Sequence, residues 1–199
     1  MVLLKTINDV CAYTSEVSTR VPEIPEGVRV VAEERILPEA VVSSLSLPAS
    51  YVRVAENYRL EGVSIGYFSL WPSGLARPLS ESLIEENSRQ SIISRFHNKS
   101  LVAVASYEAN PICVVTAGAR EEGEVVVVDI ATSPVWREKS IASDLEIFLL
   151  LAANIYKITD EFADDPAHGL REVGNFCAEF RCSSQQTIFW NTAAHVLLS

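Results

Sequence analysis

The sequence predicts an α+β fold in which a single antiparallel or mixed sheet packs against helices. Three short runs rich in β-branched residues follow one another closely, at 101–107, 111–117 and 124–130. Parallel strands need a crossover of about a dozen residues, so these short connections favour antiparallel pairing. A capping sequence at 143–146 then opens an apolar helix. This unit organises the rest of the chain.

The third run contains four consecutive valines, at 125–128. An uninterrupted apolar run is typical of a strand that is covered on both faces, so we place it near the centre of the sheet. The helix that follows is apolar around most of its circumference, which indicates a buried position. Its predicted core face carries Leu145, Phe148, Leu149, Ala152 and Ile155.

Before this unit, the pattern predicts short helices and strands. Pro38 lies where a first-turn proline opens a helix, and Gly62 can adopt the positive φ that ends one. Residues 89–99 are predicted as a loop or helix that leads into the strands. Helices are predicted from Leu3 until Pro22, over 39–45, from Leu47 until Gly62 and over 80–87, with an edge strand at 28–32 and a further strand at 63–70.

Changes in composition divide the chain into three regions. Residues 1–27 form an N-terminal helical extension, which the Pro25-Glu26-Gly27 turn closes. Residues 28–157 form the α+β domain. Beyond it, residues 158–199 form a C-terminal helical extension of the same globule. The buried faces predicted for this extension carry Leu170, Val173, Phe176, Cys177 and Phe180, and then Ile188, Phe189, Ala193, Val196 and Leu197.

Charge and hydropathy narrow the classes of partner. The chain of 199 residues has a formal net charge of −10. Nucleic acids and anionic membranes repel such a chain, whereas basic partners attract it, although the same charge also simply favours solubility. The longest uncharged apolar run, 147–156, is too short to span a bilayer, and no signal peptide is evident. We expect a soluble, cytoplasmic protein that binds neither nucleic acid nor membrane.

The residues that commonly carry chemistry do not combine into a known site. The histidines at 97, 168 and 195 show no metal-ligand spacing and no neighbouring nucleophile. Phosphate-binding glycine patterns and the Gly-x-Ser-x-Gly elbow are absent. Cys177 and Cys182 have the wrong spacing for a zinc knuckle, and we expect all four cysteines to be reduced thiols. The sequence predicts no enzyme, no catalytic residues, no metal and no cofactor.

One enzymatic alternative concerns the segment Arg137–Ala142, which follows the valine strand. It resembles the Arg-x-x-Gly-x-Gly/Ala turn of GCN5-type acetyltransferases, in which backbone amides hold a pyrophosphate. Here Ser140 replaces the glycine that gives the phosphate access to those amides. Glu138 adds a negative charge that opposes a phosphate. A degenerate acetyltransferase is therefore the less favoured interpretation.

Several short motifs follow one another along the chain in a characteristic order. Leu47-Pro48-x-Ser50-Tyr51 opens a helix, a strand lies at 65–70, and an acidic helix ends near Asn87. The antiparallel strands follow, and the closing helix begins at 142–149. In this order and spacing the chain resembles the SMI1/KNR4 (SUKH) superfamily, over roughly 28–155. The last forty or so residues have no counterpart in that pattern.

This resemblance implies an α+β domain with a mixed or antiparallel sheet packed against helices, here with extra C-terminal helices. It also implies a protein-binding function without catalysis. Many bacterial members are immunity proteins that neutralise a toxin, often a nuclease, whereas fungal members are regulatory scaffolds. The resemblance supplies no catalytic residues. It therefore implies a bacterial immunity protein, with a regulatory scaffold as the alternative.

We expect the partner, a basic toxin domain, to bind an acidic surface. Glu81, Glu85 and Glu86 lie together on one short predicted helix. Trp71 lies in a Pro-Ser-Gly loop, where aromatic residues often serve as interface anchors. The alternative for Trp71 is ordinary packing at the end of a strand. The predicted partner-binding residues are therefore Trp71, Glu81, Glu85 and Glu86.

Overall fold

The computed structural model describes residues 2–20, 29–71, 77–88, 100–116, 120–131 and 137–198. The predicted turn at 25–27, the segment 89–99 and His97 lie outside the described residues. The helices are α1 (Ile7–Arg20), α2 (Glu39–Leu45), α3 (Ala49–Asn57), α4 (Leu79–Glu86), α5 (Leu145–Glu161), α6 (Pro166–Glu179) and α7 (Ser184–Leu198). The strands are β1 (Val31–Ala32), β2 (Tyr58–Arg59), β3 (Ser64–Ile65), β4 (Phe68–Leu70), β5 (Leu101–Tyr107), β6 (Asn110–Val115), β7 (Val125–Asp129) and β8 (Arg137–Ala142).

The main sheet has six strands in the order β3-β4-β5-β6-β7-β8. Each strand runs antiparallel to its neighbour. This arrangement confirms the predicted α+β class and the antiparallel pairing of the three β-rich runs. Strands β1 and β2 form a separate two-stranded sheet. The prediction that 28–32 forms an edge strand of the main sheet is therefore wrong, because β1 pairs with the chain that leaves α3.

The valine strand β7 is buried on both faces, as its composition predicts. Val125 and Val127 belong to the main core cluster, whereas Val126 and Val128 belong to a second cluster on the opposite face. That second cluster consists of Leu101, Ala103, Cys113, Val115, Val126 and Val128. The strand is not central, however, because β8 alone lies beyond it at that side of the sheet.

The edge strand β8 is a correction to the sequence analysis. Residues 137–142, whose sequence resembles a phosphate-binding turn, pair with β7 from Asp129↔Arg137 to Val125↔Ala142. Burial begins only at Ser140, because the first half of the strand is exposed at the edge. Because residues 137–139 are polar, the hydropathy pattern does not predict a strand there. The turn on which the acetyltransferase alternative depended is therefore not formed by these residues.

The strand predicted at 63–70 is a hairpin of two strands, β3 and β4. Gly66 has a φ of +59° in the connection, and Ile65 pairs with Phe68 across it. The helix predicted from Leu47 until Gly62 ends earlier, at Asn57, so Tyr58 lies in β2 rather than on the helix face. Gly62 does have a positive φ, of +73°, but it shapes the turn before β3.

Helix α5 is the centre of the helical side of the fold. The Asp144 carboxylate accepts a hydrogen bond from the Ile147 amide at 2.9 Å, so Asp144 rather than Ser143 is the N-cap. Helix α5 packs against α1, α3, α6 and α7 as well as β8. All five residues of its predicted core face are buried. One core cluster includes side chains from Leu4 to Ala194 and so reaches all three predicted regions.

Helix α7 confirms only part of its predicted core stripe: Ala193 is buried, and Phe189 and Leu197 pack against the core. Ile188 is 68% exposed and Val196 is 43% exposed, whereas Trp190 is fully buried. The Trp190 indole Nε1 donates to the carbonyl of Ile141 at 2.7 Å, and its ring lies against Phe68 and Phe148. Because burial of this large ring sets the rotation of α7, Ile188 and Val196 turn outwards, and the prediction that they belong to the core is wrong. No helix in the described ranges has the length and apolar character to cross a membrane.

Candidate interaction surface

A nearly buried ion pair joins Arg35 to Glu61. Their side chains are 19% and 10% exposed. The guanidinium Nη1 donates to the carboxylate Oε1. The other guanidinium nitrogens donate to backbone carbonyls at the end of α3, with Nε 2.6 Å from the oxygen of Ala55 and Nη2 2.9 Å from that of Tyr58. The arginine therefore ties its own segment to α3 while it neutralises Glu61.

The Glu61 carboxylate also holds the first residue of α4. It accepts hydrogen bonds from the amides of Leu60 at 3.1 Å and Leu79 at 3.2 Å. An anion at a helix N-terminus satisfies an otherwise unpaired amide and interacts favourably with the helix dipole. Burial alone raises the pKa of Glu61, but the hydrogen bonds from Arg35 and the backbone outweigh it and hold that pKa below its ordinary value. Glu61 is therefore a structural anion.

The segment before α2 follows the end of α3 through backbone hydrogen bonds. The amide of Glu33 donates to the Asn57 carbonyl and the amide of Arg35 to the Glu56 carbonyl, both at 2.9 Å. The amide of Leu37 donates to the Glu56 side chain at 3.0 Å. These bonds fix the backbone on both sides of Ile36.

Ile36 projects from this fixed backbone into solvent. Its side chain is 89% exposed, whereas that of its neighbour Leu37 is buried at 5%. A shallow groove beside it is lined by Glu34, Arg35, Ile36, Glu56 and Asn57. A single exposed aliphatic side chain is ordinary on a protein surface. What distinguishes Ile36 is that both flanking residues are anchored, so the side chain is presented in a defined position.

Helix α4 supplies the second part of the surface. Its buried side carries Leu79, Ser82 and Leu83, and its outward side carries Glu81, Ile84 and Glu85. Ile84 is 46% exposed. Glu85 forms an ion pair with Arg77, whereas Glu81 has no ion pair within the described ranges. Like the segment around Ile36, the outward side of α4 therefore carries an exposed isoleucine beside acidic groups.

Asn87 fixes the other end of α4. Its side chain is 3% exposed and makes two hydrogen bonds to one residue of β5. Its Oδ1 accepts from the amide of Ala103 at 2.9 Å, and its Nδ2 donates to the Ala103 carbonyl at 3.0 Å. A third bond runs from Nδ2 to the Leu83 carbonyl at 2.9 Å. With Glu61 at one end and Asn87 at the other, α4 is held at both ends.

We call these two exposed stretches the acidic surface; it comprises Glu33, Glu34, Ile36, Glu39, Glu81, Ile84 and Glu85. The stretches are neighbours in the fold because α2 packs against α4 and because the Arg35–Glu61 pair contacts both. Glu33, Glu34 and Glu39 are exposed and form no ion pair with any described residue. The surface thus presents carboxylates that remain available to a partner.

The predicted partner-binding residues occupy two environments. Glu81, Glu85 and Glu86 are all exposed on α4, with Glu81 and Glu85 on its outward side. Trp71 is half-buried and packs against the second core cluster, and its amide donates to the Val104 carbonyl at 2.9 Å. Trp71 therefore has a packing role at the end of β4. The exposed apolar side chains beside the acidic groups are Ile36 and Ile84.

The sequence alone predicts neither the exposure of Ile36 nor the ion pair, and the reason is physical. Arg35 and Glu61 lie 26 residues apart, and no local pattern shows that they meet. One usable signal is an isoleucine that directly follows the charged run Glu33-Glu34-Arg35. An aliphatic residue in such a run is either the start of a buried element or an exposed contact residue. Because Leu37 is the residue that is buried, Ile36 is the exposed one.

Within the described ranges, other groups of titratable residues do not assemble into a site. Among the residues that the structure describes, no three potential metal ligands converge. His168 lies near the carboxylates of Asp165 and Glu172 on α6, and its ring lies 4.4 Å from that of Phe162 at an interplanar angle of 44°. Cys11, Cys113, Cys177 and Cys182 form no disulfide in the structure. The arrangement best suited to recognition is therefore the acidic surface.

Comparison of the chain with protein-family models, with curated proteins and with solved structures finds no match.

Proposed function

We propose that this protein is a non-catalytic binding module that recognises a basic protein through the acidic surface. The observation that carries this proposal is Ile36, which is 89% exposed on a backbone hydrogen-bonded on both sides. A backbone that is already fixed loses little conformational entropy on binding, so it favours affinity more than a mobile one. The complementary partner surface is an apolar pocket with lysine or arginine at its rim.

The acidic groups increase the rate of association and favour basic partners. Glu33, Glu34, Glu39 and Glu81 carry negative charge without an ion pair in the described part of the chain. Such charges attract a basic partner over distances comparable with the Debye length, about 8–10 Å at physiological salt, and mainly accelerate association. The net charge of −10 acts in the same direction at longer range.

We further propose that the partner is a toxin and that the protein is its immunity protein. This step is supported by the motif resemblance between 47 and 149. A nuclease toxin has a basic surface that attracts phosphates, and clustered carboxylates can occupy that surface in their place. The protein then needs no catalytic group, because occupation of the toxin surface is sufficient for neutralisation.

The test is co-expression with the product of the adjacent gene, followed by growth measurement and pull-down. We expect growth to be restored and the two proteins to co-purify. In the purified complex, Ile36→Ser should raise the dissociation constant about 30-fold, as expected for an interface residue worth about 2 kcal/mol. Glu34→Lys with Glu81→Lys should mainly slow association at low salt, and the difference should shrink as salt is added.

The matched control is Glu121→Lys with Glu122→Lys. These glutamates are exposed in the connection between β6 and β7, near the opposite end of α3 from the acidic surface. The control changes the net charge by the same amount. Any difference in association rate between the two double variants is therefore due to where the charges lie on the surface. Equal effects of the two charge reversals, together with unchanged affinity for Ile36→Ser, would reject the acidic surface as the binding site. Failure of co-expression to restore growth would reject the immunity function.

A further inference from the structure

The end of α6 brings two cysteines together through its backbone geometry. Phe180 caps the helix, and Arg181 follows in the left-handed region with a φ of +54°. The amide of Cys182 then donates to the Cys177 carbonyl at 2.8 Å, and the amide of Arg181 to the Ala178 carbonyl at 3.1 Å. These two bonds define a Schellman motif, in which the side chains at the positions of Cys177 and Cys182 characteristically touch.

The two thiols differ in access. Cys177 is 1% exposed, whereas Cys182 is half-buried at the start of the α6–α7 connection. Cys177 belongs to the main core cluster, and the Cys182 side chain packs against that cluster. A reagent from solution therefore meets Cys182 first, and Cys177 lies in contact behind it.

We infer that Cys177 and Cys182 form a reversible disulfide site that exchanges with low-molecular-weight disulfides such as oxidised glutathione. Cys182 is the attacking thiol and Cys177 the resolving thiol. The product cross-links the last turn of α6 to the connection that leads into α7.

The exchange proceeds in two balanced steps. The Cys182 thiolate attacks one sulfur of the small disulfide, forms a mixed disulfide and expels one small thiolate, which takes up the proton that Cys182 released. Cys177 then loses its proton, its sulfur attacks the sulfur of Cys182, and a second small thiolate leaves and takes up that proton. Two protein thiols are oxidised to one disulfide, and one small disulfide is reduced to two thiols.

The acidity of the thiols favours this order. The hydrogen bond from Cys177 stabilises the Cys182 thiolate and lowers the pKa of Cys182. The same bond, together with burial, raises the pKa of Cys177. Once Cys182 is in a mixed disulfide, this bond to its thiolate is lost and the bond from Thr187 favours ionisation of Cys177. Thiolate formation controls exchange, so Cys182 reacts first.

Cys11 provides an internal comparison. It is half-buried like Cys182, but burial raises its pKa and no second cysteine lies beside it in the described part of the chain. Cys113 is fully buried. At neutral pH we expect Cys182 to be alkylated about tenfold faster than Cys11, with Cys113 the slowest of the three.

The test treats the reduced full-length protein with oxidised glutathione and follows intact mass and cross-linked peptides. We expect a product lighter by two hydrogen atoms that links Cys177 to Cys182, retains thiols at Cys11 and Cys113, and reverts with dithiothreitol. Cys177→Ala should stop at an adduct of one glutathione on Cys182. Cys182→Ala should remain unmodified at Cys177, and Cys11→Ala should behave as the wild type.

Circular dichroism verifies that each variant is folded, and the alkylation rates of the wild type need no substitution at all. A stable glutathione adduct on wild-type Cys182 without an internal cross-link would overturn the inference. So would a wild-type protein whose Cys11 reacts before Cys182.

Discussion

At the scale of single residues, the Arg35–Glu61 pair joins three segments that are distant in sequence. Its bonds reach the carbonyls of Ala55 and Tyr58 and the amide of Leu79. Removal of one partner from a buried pair leaves an uncompensated charge, which costs about 3–5 kcal/mol. The pair is therefore better understood as fixing the relative positions of α3, α4 and the segment of Ile36 than as a net source of stability.

The pH dependence of stability should reveal the anionic state of Glu61. Its pKa in the folded protein lies below its ordinary value of 4.5, so the unfolded chain takes up this proton first as the pH falls. Its contribution is complete well above pH 4.5 and is lost as the pH falls through the folded-state pKa. We expect Glu61→Gln to lower the free energy of unfolding by about 3 kcal/mol at neutral pH. That deficit should narrow in acid, as measured by urea unfolding.

Glu121→Gln is the control for this prediction, because Glu121 is exposed and forms no ion pair with any described residue. Its difference from the wild type should be small and should not vary with pH. A deficit for Glu61→Gln that stays constant from about pH 7 to about pH 3 would show that the Glu61 charge is not preferentially stabilised in the folded state.

At the scale of elements, the sequence predicts the strands that hydropathy and short connections are enough to identify. The runs that became β5, β6 and β7 are apolar and separated by short connections, so hydropathy and turn length suffice to identify them. Strand β8 was missed because Arg137 and Lys139 lie exposed at the sheet edge. The acidic helix α4 was predicted, with Glu81 and Glu85, but Ile36 was not, because its fixed position depends on tertiary hydrogen bonds.

Helix α7 offers a direct test of which helix face is buried. Trp190 is fully buried and donates to the Ile141 carbonyl, whereas Ile188 is 68% exposed. We expect Trp190→Ala to lower the free energy of unfolding by about 3–5 kcal/mol. Trp190→Phe keeps an aromatic ring but leaves the buried carbonyl unpaired, so it should cost about 1–3 kcal/mol.

Ile188→Ala is the matched change on the outer face of α7, and it should alter the free energy by less than about 0.5 kcal/mol in the same urea titration. The opposite ranking, with Ile188→Ala more harmful than Trp190→Ala, would show that α7 is rotated from the position described. It would restore the stripe that the sequence pattern predicted.

At the scale of the whole molecule, the core extends beyond the region covered by the motif resemblance. Val173 and Phe176 of α6 and Trp190 and Ala193 of α7 belong to the same cluster as Phe148 of α5. The C-terminal helices therefore cover apolar surface that the sheet and α5 would otherwise expose. The division at residue 157 stays a prediction. Whether residues 1–157 fold without the C-terminal helices can be measured directly.

A chain that ends after Lys157 tests whether the first part folds alone. Without α6, α7 and the last turn of α5, which contains the buried Ile158, large apolar areas on α5 and β8 face water, at a cost of about 25 cal/mol for each Å² exposed. We expect this fragment to lack a cooperative urea transition and dispersed amide resonances, whereas the full chain shows both. Addition of a separate 158–199 peptide should restore part of the transition if covering the apolar surface is the cause. A fragment that unfolds cooperatively by itself would instead define 1–157 as an autonomous domain to which the last two helices are an accessory.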